Sequence, residues 1–235
     1  MKKIILTAAL LVFSSFSANA LDRSSFAIFD LTAGLASNSS VFGASAKEEN
    51  FSADTDNTLV ETNTDEGVFT ESFSSQFIEL GIGRWISLGY EHTPDSISTP
   101  KNVANEGQTN EATVQVDFND MNTTYLKLNI PGGGMYIKYG NVETDMDIKE
   151  TVGAGVYKNT SISGTSLGAG YQKLFGESGF GFRVEGNYLE FDNVTVNDGD
   201  TTGTIANNGK NKITASNLEG LTGKVALTYT FGRNN

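Results

Sequence analysis

Eight charged side chains are spaced as if to act together: Asp30, Glu79, Glu91, Lys127, Lys138, Arg183, Glu185 and Lys224. Each falls in a segment whose apolar residues recur at every second position, and each occupies the opposite, polar parity. Four acids meet four bases. Such a balance is required where charges leave water, because an unpaired buried charge costs several kcal/mol. Other chemistries are thinly supplied. The chain lacks cysteine, which excludes thiolate nucleophiles, thiolate metal sites and a disulfide frame. His92 is the single imidazole, so no multi-histidine zinc or iron site exists. Its neighbourhood, Glu91-His92-Thr93-Pro94-Asp95-Ser96, holds the residue types of a hydrolase but not on one strand face. Gly81-Ile82-Gly83 lacks a third glycine and opens no helix, so it makes no nucleotide loop. No catalytic residue, cofactor or metal ligand set is expected.

The elements that must position these charges are strands. Apolar alternation marks eight segments: Phe29–Leu35, Phe77–Gly83, Ile86–Glu91, Thr124–Ile130, Met135–Gly140, Leu167–Gln172, Phe180–Tyr188 and Leu221–Phe231. Their connections alternate in length. Three are tight turns, at Gly83–Trp85, Pro131–Gly134 and Gly176–Gly179, and four are long, at 37–71, 93–121, 142–162 and 192–217. An even strand count with short and long connections alternating predicts an all-β fold. The form expected is an eight-stranded antiparallel up-and-down transmembrane β-barrel, with short periplasmic turns, four long extracellular loops and periplasmic termini.

Alternation alone would also fit a secreted soluble β-protein with the apolar face inside. Three features place lipid on that face. The polar parity is crowded with glycine (34, 81, 83, 89, 140, 168, 170, 181), as a narrow filled interior requires. The polar-face charges cancel. The aromatics Phe29, Trp85, Phe180, Tyr229 and Phe231 lie near the short turns, and Tyr90, Tyr139 and Tyr188 near the long loops, as two interfacial girdles. His92 shares the parity of Leu88 and Tyr90 and reads as one more interfacial side chain.

The first twenty residues carry Lys2 and Lys3, an apolar run from Ile4 to Phe13, and Ala18-Asn19-Ala20. That is the layout of a secretory signal peptide over 1–20, leaving one barrel domain over 21–235. The apolar run is too short to span a membrane, which takes about 20 residues. Of 28 acids and 16 bases in the chain, 20 acids and 6 bases fall in the four long loops. The acidity therefore faces outward and argues against nucleic-acid binding. Its bland reading is a solvated, repulsive surface; its sharper one is divalent-cation binding or contact with a basic partner.

The signal segment, the eight strands and the final Gly223-Lys224-Val225-Ala226-Leu227-Thr228-Tyr229-Thr230-Phe231 resemble the small outer-membrane β-barrel family, typified by the transmembrane domain of outer-membrane protein A. The resemblance implies a monomer in bacterial outer-membrane lipid, recognised by the assembly machinery through its last strand. Gly232-Arg233-Asn234-Asn235 follow the Phe on which that family usually stops. Some of its members are rim enzymes that act on lipid, but the His-x-Ser spacing of the barrel deacylase is absent, since Pro94 stands where the serine would be. The expected role is structural or surface-interactive, through the acidic loops above a charge-plugged lumen. A narrow cation-preferring porin is the alternative.

Overall fold

The computed structural model describes residues 29–51, 58–104, 112–150, 157–197 and 212–232. The signal segment 1–20 lies outside them. The described chain contains only strands and their connections: β1 (Phe29–Phe51), β2 (Leu59–Ile82), β3 (Ile86–Thr93), β4 (Ile97–Ser98), β5 (Asn102–Ala104), β6 (Ala112–Asn129), β7 (Met135–Glu150), β8 (Thr160–Leu174), β9 (Phe180–Phe191), β10 (Val194–Asn197) and β11 (Lys212–Phe231). Eight of them form a ring in the order β1-β2-β3-β6-β7-β8-β9-β11, every pair antiparallel. The ring closes where β11 pairs with β1, from Leu31↔Phe231 to Glu49↔Lys212. β4 and β5 continue the course of β3 beside β6, and β10 continues that of β9 beside β11.

The alternation sets which way each side chain points. On β1, Thr32, Gly34, Ala36, Asn38 and Ser40 are buried inside while Leu35 is 69% exposed on the outer wall. On β11, Lys224 is buried and Leu227 is 71% exposed. Three tight connections join the strands at one end. The chain reverses at Gly83 with φ +63°, and at Gly132 and Gly134 with φ +85° and +74°, conformations that side-chain-bearing residues rarely adopt. Gly83 thus belongs to the turn, not to the crowded polar face, and a Cβ there would meet nothing within 4 Å.

The four long connections differ from the sequence expectation in kind. Most of 37–71 is strand: β1 runs to Phe51, and β2 starts at Leu59 and stays in register with it. β6, β7 and β11 likewise extend into the segments read as loops. Beyond the apolar band an outward apolar row is no longer needed, so alternation fades from the sequence; the neighbouring strand still offers its backbone groups, and pairing continues. Two bulges mark this passage. One lies in β6 at Asp120 (φ +51°), and one in β11 at Asn217 (φ +53°), where the β1 register shifts between Gly43 and Ser45.

The interior has two storeys. Nearer the short turns it is charged. Nearer the long connections it is apolar, packed by Phe42, Phe73, Ile97, Met121, Val142 and Leu218 among others, with Phe69 stacked on Phe42 at 5.3 Å between centroids. The void left among them is about 10 Å³, room for one water at most.

Candidate functional site

The charged storey is built outward from Glu79 on β2. Arg183 on β9 grips its carboxylate with both terminal nitrogens, each at 2.7 Å. Lys127 on β6 donates to the same carboxylate, and the Tyr125 hydroxyl adds a fourth contact at 2.8 Å. Gln172 on β8 accepts from Arg183 at 2.7 Å. Two-pronged binding of a carboxylate by a guanidinium fixes its orientation as well as its charge. Both partners are 1% exposed, so the geometry must compensate for a large loss of hydration.

A second cluster lies alongside. Glu185 on β9 accepts from Tyr136 at 2.6 Å, Lys138 at 2.5 Å and Lys224 at 3.1 Å. Lys224 also donates to Glu91 on β3 at 2.6 Å, and Lys138 lies 3.5 Å from that carboxylate. Ser75 donates to Glu91 at 2.7 Å, and Asn38 on β1 to Ser75 at 2.9 Å. Cations also face rings: Lys138 lies 4.5 Å from the centroid of Tyr125, and Arg183 4.4 Å from that of Phe77. Through these contacts the two clusters reach all eight strands of the ring.

Glycines make the space. Gly89 and Gly140 lie on either side of Tyr125 in the register, Gly170 opposite Tyr136, and Gly34 opposite Phe77. A Cβ at Gly89, Gly170 or Gly34 would come within 2.2 to 2.3 Å of the ring or hydroxyl across from it. In each pair a large side chain folds over the strand that gives up its own, which is how a narrow barrel holds aromatics at all.

Seven of the eight sequence-selected charges are therefore joined directly. Asp30 lies nearer the short turns, with its carboxylate against Gly81. Alternation had also put Tyr125, Tyr136 and Gln172 on the inner face, but hydroxyls and an amide carry no charge to be balanced and so were not selected. Asn38 falls in the segment 37–71 read as a loop, and Ser75 between that segment and the strand expected from Phe77, so alternation points to neither. The aromatics Phe29, Trp85, Tyr139, Phe180, Tyr188 and Tyr229 are exposed on the outer wall, Tyr90 and Phe231 partly so, and Phe180 meets Tyr229 edge-on at 4.9 Å.

His92 points outward, with Nδ1 2.8 Å from Asn122 Oδ1, which also accepts from Tyr90. Asp95 does not orient it. That carboxylate accepts instead from the amide and hydroxyl of Ser74, each at 2.7 Å, and these bonds hold it below the ordinary carboxylate range. Among the described residues no group of three or more potential ligands could hold a metal ion. Asp145 and Asp147 accept from Ser161 and Asn119, and Asp198 and Asp200 lie outside the described residues.

Neither a protein-family model nor a curated sequence matches the chain. Solved structures do resemble it. The outer membrane protein OprG from Pseudomonas aeruginosa is 9% identical, with TM-score 0.48, over 83% of this chain and 95% of its own. The outer membrane protease OmpT from Escherichia coli is 11% identical, with TM-score 0.43, over 92% of this chain and 100% of its own. Ail, the attachment invasion locus protein of Yersinia pestis, is 12% identical, with TM-score 0.38, over 84% of this chain and 99% of its own.

Proposed function

We propose that the chain is a bacterial outer-membrane barrel with a closed lumen, acting at the cell surface through the strands that rise above the membrane. The inversion of the wall carries this reading. Outside stand Leu35, Leu88, Leu126, Leu167, Val225 and Leu227, all exposed. Inside are Glu79, Lys127, Lys138, Arg183, Glu185 and Lys224, all buried. A barrel in water would leave that apolar band unsheltered, whereas a bilayer matches it. On this reading the short turns and termini are periplasmic, residues 1–20 are removed on export, and β11 with Phe231 addresses the assembly machinery.

The lumen supports closure rather than conduction, since ion-paired side chains block one storey and packed phenylalanines the other. No enzymatic centre is assigned, because His92 bonds to Asn122 while Asp95 is taken up by Ser74. The test is the behaviour of the mature protein. It should require detergent, fractionate with outer membranes and migrate faster on a gel before boiling than after. A mature chain that stays monomeric and soluble without detergent would end the proposal.

A further inference from the structure

Two strands of the ring part company above the apolar band. β2 and β3 pair from Ile82↔Ile86 to Gln76↔His92, and there the ladder stops. β2 nevertheless continues to Leu59, paired on its other side with β1 along its whole length. β4 and β5, which continue the course of β3, pair with β6 instead. Pro94 and Pro100 interrupt this course and bring no amides to it. β2 is thus left without a paired strand on this side from Leu59 to Ser74, the longest such edge among the described residues; side-chain bonds cross it, from Ser74 to Asp95 and from Asn102 of β5 to Asp65 at 3.2 Å, and an added strand would replace the second of them.

The direction of that edge follows from one bond. The Ser74 amide points to the β3 side, where Asp95 accepts from it. In a regular strand the backbone groups of alternate residues share a side, so those of Ser72, Thr70, Val68, Glu66, Thr64 and Thr62 point there too, up to the register shift at Val60. Among the described residues only Glu66 has an acceptor for its amide, the neighbouring Asp65 carboxylate at 2.9 Å. Two carboxylates thus stand on amides that a neighbouring strand would otherwise fill. Val68, between them, is 75% exposed.

The two faces of the edge differ. One row is β-branched except at Glu66, with Thr62, Thr64, Val68 and Thr70; the other carries the acids Glu61, Asp65 and Glu71 among Asn63, Gly67 and Phe69, and none of these three acids makes an ion pair with a described residue. We infer that this edge accepts an added strand: an extended basic segment of a partner, with Lys or Arg at alternate positions opposite Glu61, Asp65 and Glu71 and β-branched residues between them. Main-chain bonds to Val68, Thr70 and Ser72 supply affinity, and the alternation supplies selectivity. A second copy of this chain fits badly, because its own edge would bring acids opposite acids. The inference rests on the surface reading above, which requires β2 beyond Ser72 to stand outside the membrane.

The experiment uses the full-length protein in zwitterionic lipid nanodiscs and a fluorescent ten-residue peptide alternating Lys with Val or Thr. The expected result is saturable binding that slows exchange of the Val68 and Thr70 amides. It should weaken at least tenfold when the peptide is N-methylated at the positions that pair, when glutamate replaces its lysines, and when the protein carries Val68→Pro. That proline removes an amide on the open side and leaves the β1 ladder intact. Should Val68→Pro not fold, the triple variant Glu61→Lys/Asp65→Lys/Glu71→Lys tests the same edge without touching the backbone. Equal binding of the N-methylated peptide would reduce the contact to charge alone and overturn the inference. So would absence of binding, or pairing of two barrels through this edge. A separate arm labels Val68→Cys on whole cells with a membrane-impermeant maleimide. No labelling defeats the surface reading itself; labelling without peptide binding defeats only the strand acceptor.

Discussion

The ring of Tyr125 occupies the place a side chain at Gly89 would take: a Cβ there would lie 2.3 Å from the ring's Cζ. The hydroxyl of the same ring reaches Glu79, so this close approach helps hold the ion pair in position. Gly89→Ala should therefore displace Tyr125 and cost about 1–3 kcal/mol, the usual range for overpacking. Urea titration of the detergent-folded protein measures it. Tyr125→Ala in the same molecule should remove most of the added cost, leaving the two changes non-additive.

Glu79 compensates two cations at once. Glu79→Gln leaves Arg183 and Lys127 buried without a full counter-charge and should destabilise the barrel by about 3–5 kcal/mol. Adding Lys127→Met should recover part of that loss, since one uncompensated charge is removed with it. A double variant no more stable than the single one would show that the pair does not govern the charged storey.

Closure by two storeys predicts that opening one is not enough. In planar bilayers neither Glu79→Ala nor Phe42→Ala alone should give steady single-channel conductance. Steady conductance of the unaltered protein would replace the closed lumen with a channel.

The outer wall predicts an effect of opposite chemistry. Leu88→Arg or Leu227→Arg places a cation on the apolar band and should cost about 2–4 kcal/mol if the residue lies near the bilayer midplane. A similar change at Val60, beyond the band, should cost little. Equal effects at both depths, read by urea titration in lipid vesicles, would argue against a membrane around the wall.

Asp95 predicts a pH response at the end of the β2–β3 ladder. Its carboxylate is held below the ordinary aspartate range by the Ser74 hydroxyl and amide. A depressed folded value means the latch contributes fully above about pH 4 and is lost as pH falls through the lowered value. Exchange at the Ser74 amide, corrected for its intrinsic pH dependence, should rise in that acidic window. Asp95→Ala should show the rise at every pH.

The inward and outward faces of all eight segments were legible because lipid imposes an apolar residue at every second position. Four-against-four charge balance likewise pointed to the interior cluster. What stayed hidden follows from where that pressure ends. Above the band β2 reads Thr-Asn-Thr-Asp-Glu-Gly, with no apolar row to betray a strand, yet β1 templates it. The apolar storey was also illegible: Phe42, Met121 and Val142 fall in segments read as loops, Phe73 and Leu218 lie just outside the segments read as strands, and composition does not reveal that they converge inside. Asp30 was selected by parity and charge, but neither gives its depth along the barrel.

The pairing of Leu31 with Phe231 has a consequence in time. β1 finds its second neighbour only in β11, far along the chain, so the wall cannot close before β11 has been made. Until then β1 travels with an edge unsatisfied. A break in β11 would undo β1 as well.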